Sequence, residues 1–167
     1  MCKIRIELTD GRKMDLELYK DIAPKTVDNF LKLIDEKFFD GLCFHRVIEN
    51  FMIQGGGFTF ENRLIPKNAK ETIKGEFYAN GFPNNLKHTA GVISMARTMF
   101  PNSASSQFFI CVTDTPHLDG QYAGFGKTID EESLKVAIDV SKVATTFVGG
   151  YDDVPVDPIV IKTISRI

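Results

Sequence analysis

Three stretches of the chain carry side chains suited to chemistry. They are Phe44-His45-Arg46-Val47-Ile48-Glu49-Asn50-Phe51-Met52-Ile53-Gln54-Gly55-Gly56-Gly57, Ser94-Met95-Ala96-Arg97 and Ser106-Gln107-Phe108-Phe109-Ile110. In the first, Arg46, Met52 and Gln54 share sequence parity, so a hairpin whose opposed residues also share parity projects all three from one face. The loop decides this. The runs Cys43 to Ile48 and Phe51 to Gln54 are separated by Glu49-Asn50, and a two-residue loop would split the set. In the third stretch Gln107 and Phe109 share a face with Cys111, while Phe108 and Ile110 share the other. An arginine and two glutamines beside phenylalanine and methionine form an apolar surface with fixed polar donors, which marks a binding site. The structural alternative is that the arginine is merely solvated and the Phe-Phe pair is core, and residue type alone favours it.

Other chemistries are poorly supported. His45, His88 and His117 are isolated, with no partner at metal-ligand spacing, so no metal is expected. Ser103, Ser105 and Ser106 do not sit in a Gly-x-Ser-x-Gly turn. Gly55-Gly56-Gly57 lacks the Gly-Lys-Ser/Thr of a phosphate loop and reads as a bend after a strand. Asp130-Glu131-Glu132 reads as acids at a helix N-terminus.

The elements that must position these residues are mostly strands. Lys3 to Leu8 and Lys13 to Tyr19 alternate around Thr9-Asp10-Gly11, a starting hairpin with Ile4, Ile6, Leu8, Met14, Leu16 and Leu18 inward. Val27, Phe30, Leu31 and Ile34 then fall at helical spacing, with Pro24 in the first turn and Gly41 beyond the end. Gly91 to Ala96, Gln107 to Val112, Tyr122 to Lys127 and Ile159 to Ile167 read as further strands. Residues 58–90 show no sustained period. A second helix is expected from about Glu131 to Val143, with Thr128-Ile129-Asp130-Glu131 as its capping box. Seven or eight strands with two isolated helices predict a mainly β fold, a closed or nearly closed antiparallel barrel capped by helices; a sandwich is the alternative.

The 167 residues match one domain in length, and no internal repeat or boundary divides 1–167. A chain of this size buries roughly 68–70% of its unfolded surface, enough for a core without disulfides or metals. Hydrophobic residues at 43% and charged residues at 25% argue against disorder. Twenty basic residues against 22 acidic ones give a net charge of −2, without the basic excess of a nucleic-acid binder. No apolar run approaches the ~18–20 residues of a membrane helix. The alternating start Met1-Cys2-Lys3-Ile4-Arg5-Ile6-Glu7 is unlike a secretory signal, and Cys2, Cys43 and Cys111 lack disulfide or zinc spacing. A cytoplasmic location is the resulting expectation.

The stretch Phe44 to Gly56 resembles the signature of the cyclophilin family of peptidyl-prolyl cis/trans isomerases. The likeness continues through Ser94-Met95-Ala96-Arg97, Pro101 to Ile110, and Leu118-Asp119-Gly120-Gln121-Tyr122-Ala123-Gly124-Phe125-Gly126, in family order across nearly the whole chain. The glycine triplet, and Met-Ala-Arg-Thr before a proline-containing loop, are most similar to the single-domain bacterial type. This resemblance implies a closed eight-stranded antiparallel β-barrel capped by two α-helices, with the groove on its outer surface. Arg46 is implied as the principal catalytic residue, with Gln54 steadying it and Phe51, Met52, Phe109 and Leu118 forming the proline pocket. Ala96, Arg97 and Gln107 are implied to line the groove, residue 97 through its backbone. His117 stands where many eukaryotic members carry tryptophan, and Tyr122 where they carry a pocket histidine, which implies weakened cyclosporin binding.

The implied partners are proline-containing peptides and unfolded or folding proteins, met by a monomer without cofactor. A rival reading keeps the fold as a catalytically silent proline-peptide-binding module.

Overall fold

The computed structural model describes residues 2–167. Twelve strands are found: β1 (Cys2–Leu8), β2 (Lys13–Leu18), β3 (Arg46–Ile48), β4 (Met52–Gly55), β5 (Phe58–Phe60), β6 (Leu64–Pro66), β7 (Val92–Met95), β8 (Phe108–Cys111), β9 (Gly124–Thr128), β10 (Thr145–Val148), β11 (Tyr151–Pro155) and β12 (Ile161–Arg166). Two helices, α1 (Pro24–Asp35) and α2 (Glu131–Ser141), and 3₁₀ turns at Tyr78–Asn80 and Pro116–Leu118 complete the chain. Eight strands form one antiparallel sheet in the order β12-β1-β2-β9-β7-β8-β4-β3.

The period-2 pattern explains the curvature and the core. Ile4, Ile6 and Leu8 on β1 and Met14, Leu16 and Leu18 on β2 are at most 2% exposed. They meet Val47, Ile53, Ile93, Phe108, Ile110, Phe125, Ile161 and Ile164 from the other strands in one cluster. Helix α1 turns Val27, Phe30, Leu31 and Ile34 onto that cluster. The Phe30 ring lies 4.9–5.4 Å from those of Phe39, Phe108 and Phe125. Pro24 occupies the first turn, where its missing N–H costs nothing. No local side chain caps this helix; the buried Glu76 carboxylate reaches in, accepting from the backbone N and Oγ1 of Thr26 at 2.7 Å each.

The eight antiparallel strands and two helices are those expected, with the ladder running from β12 to β3. Its two ends are tied to each other just ahead of each end strand, by a Cys43–Val160 bridge and by Phe44 N donating to Ile159 O at 2.9 Å. Three details differ from expectation. The strand expected from Cys43 is regular only from Arg46, because Cys43 N donates to Phe58 O and Phe44 N to Ile159 O instead of to β4. Helix α2 is capped by Asp130, which accepts from Ser133 N at 2.8 Å, while Thr128 ends β9. Two short hairpins are additional. The β5–β6 pair lies inside the stretch expected to be irregular. The β10–β11 pair turns at Gly149-Gly150, whose φ values of 54° and 91° suit a two-residue hairpin turn.

Candidate active site

Strands β3, β4, β8 and β7 are consecutive in the sheet, and their outer face carries the candidate residues. The loop between β3 and β4 holds three residues, Glu49 to Phe51, so Arg46 lies opposite Gln54 and Ile48 opposite Met52. Same-parity residues therefore face the same way. The turn is made by Asn50, at φ 61°, a left-handed conformation that asparagine tolerates. Gln54 in turn opposes Phe109, and Phe109 opposes Ser94. One row across the sheet thus reads Arg46, Gln54, Phe109, Ser94.

The glycine triplet keeps this row open. Gly56 adopts φ 90°, and a Cβ on Gly57 would stand 2.5 Å from Cγ of Gln107. Any side chain there would push Gln107 out of its place. Gly55-Gly56-Gly57 is thus the expected bend after a strand, and it also admits a neighbour's side chain.

Outside the sheet, Met52, Phe109, Cys111 and Leu118 form a second apolar cluster separate from the core, flanked by Ile48, Phe51, Ala96 and Tyr122. The cluster floors a hollow of about 170 Å³ lined by Arg46, Phe51, Met52, Gln54, Ala96, Arg97, Phe109, Leu118 and Tyr122. Met52 and Phe109 are 2% and 5% exposed, so the floor is fixed, whereas Arg46 is exposed at the rim. Its guanidinium donates from Nη1 to Oε1 of Gln54 at 3.3 Å, and Nε2 of Gln54 donates to Oε1 of Gln107 at 3.1 Å. This chain of donors leaves most guanidinium N–H groups directed elsewhere, because Gln54 accepts only one of them. No carboxylate pairs with Arg46 among the described residues. It is an unneutralised cation beside an apolar dent.

Two sequence-derived positions fall outside the lining. His117 is exposed, and its ring lies tilted by 32° at 5.7 Å from that of Phe51, beside the lining rather than in it. Gln107 lines an adjoining hollow of about 150 Å³ with Thr98, Ser103 and Ser105; Gln54, Ala96 and Arg97 border both. From the sequence, Ser103 and Ser105 were weighed only as nucleophiles and Thr98 was not singled out, because their placement beside the groove depends on how the chain folds back after β7.

The Arg97 side chain is also more engaged than a backbone contact requires. Its guanidinium lies 4.7 Å from the ring centres of both Phe77 and Tyr122 and donates to the carbonyls of Gln121, at 2.6 and 3.2 Å, and Thr98, at 3.0 Å. It clasps three loops around the hollow. Phe77, in the irregular stretch, gave no sign of this role.

Behind Phe109, the buried His88 ring lies 20° from parallel at 6.1 Å. It contacts Ser94 Oγ at 2.9 Å and Asp119 Oδ1 at 3.2 Å. Burial lowers its pKa, and the hydrogen bond to Asp119 opposes that shift. His45, beneath Arg46, is lowered to about 4 by burial and then by the Arg46 charge. Neither imidazole lines the hollow. Burial raises the Cys111 thiol to about 11, which removes it as a nucleophile at neutral pH. Among the described residues no group of His, Cys, Asp or Glu could hold a metal ion. The arrangement can bind an apolar ring and aim a charged donor at it.

Comparison with known proteins accords with this geometry. The family model for cyclophilin type peptidyl-prolyl cis-trans isomerases matches residues 3–166. Peptidyl-prolyl cis-trans isomerase A of Dickeya dadantii is 41% identical over 160 residues, covering 93% of this chain and 80% of the relative. Peptidyl-prolyl cis-trans isomerase B of Escherichia coli is 40% identical over 158 residues, covering 90% and 91%. A crystal structure of a Cryptosporidium parvum cyclophilin type isomerase superposes with a TM-score of 0.78 at 30% identity, covering 99% of this chain and 97% of that one. The same enzyme in the presence of the dipeptide Ala-Pro gives 0.77. With its outward-facing arginine row and a family match running almost end to end, the chain belongs to the cyclophilin type peptidyl-prolyl cis-trans isomerase family.

Proposed function

We propose that the chain, acting as one domain, catalyses rotation about X–Pro bonds in peptides and folding proteins without a covalent intermediate. The observation that carries this reading is the exposed, unpaired Arg46 guanidinium at the rim of the hollow floored by Met52, Phe109 and Leu118. Amide resonance sets a barrier of ~18–20 kcal/mol to rotation. The two X–Pro isomers differ little in energy and exchange over tens to hundreds of seconds. Such a reaction needs no base, nucleophile or metal, only tighter binding of the twisted imide than of either planar form.

Twisting returns the lone pair to the imide nitrogen, which becomes an acceptor. Arg46 would donate to it, and Gln54 would hold the guanidinium at the rim. One charge-assisted hydrogen bond contributes ~1.5–3 kcal/mol, roughly 10–100-fold in rate. The remainder would come from the apolar floor, since a twisted amide is less dipolar than a planar one and loses less on leaving water. Phe51, Met52, Phe109 and Leu118 would hold the proline ring, Tyr122 would back Phe109 through an edge contact at 5.7 Å, and Ala96 and Arg97 would border the substrate backbone. Gln107 would extend the groove into the adjoining hollow.

His117, exposed and outside the lining, supports the reading that cyclosporin binds weakly. Three free cysteines, two of them buried, support a reducing compartment and hence the cytoplasm; no described helix is long and apolar enough to cross a membrane. The chain is read as a monomer. A protease-coupled assay on a proline tetrapeptide tests the activity: acceleration of cis-to-trans exchange is expected. Saturable binding with an unchanged rate would instead make it a silent binding module.

A further inference from the structure

The loop joining β7 to β8 carries two of the three most exposed large apolar side chains of the described residues, the third being Tyr78. Met99 is 85% exposed and Phe100 69%. They are adjacent in sequence, and the loop beneath them is built rather than slack. Thr98 N and Oγ1 contact Ser103 Oγ at 3.0 and 2.9 Å, Ser103 Oγ donates to Phe100 O at 2.7 Å, and Phe100 N donates to Thr98 Oγ1 at 3.2 Å. The next residues are anchored as well: Asn102 Oδ1 accepts from Gly75 N and from Asn80 Nδ2, both at 3.0 Å. None of these bonds uses the Met99 or Phe100 side chain. The loop spends its hydrogen bonds on holding two apolar side chains in water.

Their position is specific. Thr98 and Ser103, which flank the pair, line the adjoining hollow together with Gln54, Ala96, Arg97 and Gln107, and that hollow shares Gln54, Ala96 and Arg97 with the proline hollow. A polypeptide leaving the first hollow past Ala96 into the second meets the loop that carries Met99 and Phe100. Met99 and Phe100 line neither hollow themselves, but they are the exposed large apolar residues enclosed in sequence by two residues of the second lining, Thr98 and Ser103, whereas Tyr78, Phe147 and Val156 are not.

We propose that Met99 and Phe100 form an accessory contact for apolar side chains of an extended or unfolded polypeptide whose proline occupies the hollow. The surface selects long, apolar-rich chains over short proline peptides. A flexible thioether and an aromatic ring suit this role because they adapt to varied aliphatic and aromatic partners. The inference rests on the proposed isomerase reading for the location of the proline.

The test compares the wild-type chain with the double variant Met99→Ser, Phe100→Ser. Two substrates are used: a proline tetrapeptide, too short to reach the loop, and a longer labelled peptide with an apolar pair several residues from its proline. Exchange rates are measured for both, and direct binding of the long peptide is followed by fluorescence anisotropy. For the long peptide the variant is expected to lose about tenfold in affinity and in kcat/KM, the scale of one or two apolar side chains left in water. Its tetrapeptide turnover and thermal midpoint should match wild type.

Equal long-peptide binding in the two proteins would overturn the proposal, and so would a parallel loss on the tetrapeptide. A dimer in the wild type that dissociates in the variant would also overturn it, by making a second copy the occupant. If neither protein turns over the tetrapeptide, the isomerase reading fails separately. Anisotropy still decides the surface: weaker binding by the variant upholds it, and equal binding removes it.

Discussion

Arg46 and Gln54 stand directly opposite each other on β3 and β4, and the guanidinium donates to the carboxamide oxygen at 3.3 Å. Gln54 is itself held by Gln107, just ahead of β8, at 3.1 Å, so two carboxamides in series fix one donor at the hollow's rim. Gln54 is a positioning residue in this account. Gln54→Leu should lower kcat by about tenfold, the value of one hydrogen bond to a charged group, with KM nearly unchanged. Thermal denaturation should show little loss of stability, since Gln54 is half-exposed and outside the core. A rise in KM at constant kcat would assign it to substrate binding instead.

Arg97 joins the loops that carry Phe77, Thr98, Gln121 and Tyr122. Arg97→Ala should lower stability by about 1–2 kcal/mol, through the loss of stacking and of hydrogen bonds that only a planar fork makes together. Arg97→Lys should recover little, because an ammonium does not stack between two rings while serving two carbonyls. Urea denaturation of the three proteins checks this, with full recovery by lysine as the contrary result.

Acid should weaken the fold through His45. Its imidazole is nearly inaccessible, Nδ1 has no hydrogen-bond partner, and its pKa falls from 6.5 to about 4. Between those values the unfolded chain takes up a proton that the folded chain refuses, so stability is full above pH 6.5 and drains away as pH falls toward 4. The loss should be on the order of 3 kcal/mol, and buried His88, also lowered, acts in the same direction. His45→Gln should flatten that part of the stability curve. Denaturant midpoints across the range would show it, and an unchanged slope would contradict it.

Alternation made most of the sheet legible before any coordinates. The parity of Arg46, Met52 and Gln54 was visible too, but not the loop that decides it. Glu49-Asn50 looked like a two-residue connection; Phe51 joins the turn because Asn50 takes a left-handed conformation and Phe51 N donates to Ile48 O at 3.1 Å. The β10–β11 hairpin has a local signal in Gly149-Gly150, but its strands are mostly exposed and lack the apolar alternation that marks a strand. Other relationships leave no local trace. Glu76 caps α1 from 50 residues away, and Phe77 packs on Arg97. Both depend on how residues 58–90 wrap the sheet, which no periodicity encodes. The seam at Cys43 and Val160 is likewise a meeting of irregular segments.

The most direct test of the account is the turnover of Arg46→Ala on a proline tetrapeptide, beside its binding of the same peptide and its thermal midpoint. Arg46 is exposed and pairs with no carboxylate, so stability should stay within about 0.5 kcal/mol of wild type, as for an ordinary surface substitution, and the midpoint should barely move. Binding should persist on the Met52 and Phe109 floor, while kcat falls roughly 10–100-fold or more. Undiminished turnover in that variant would contradict the claim that this guanidinium stabilises the twisted imide.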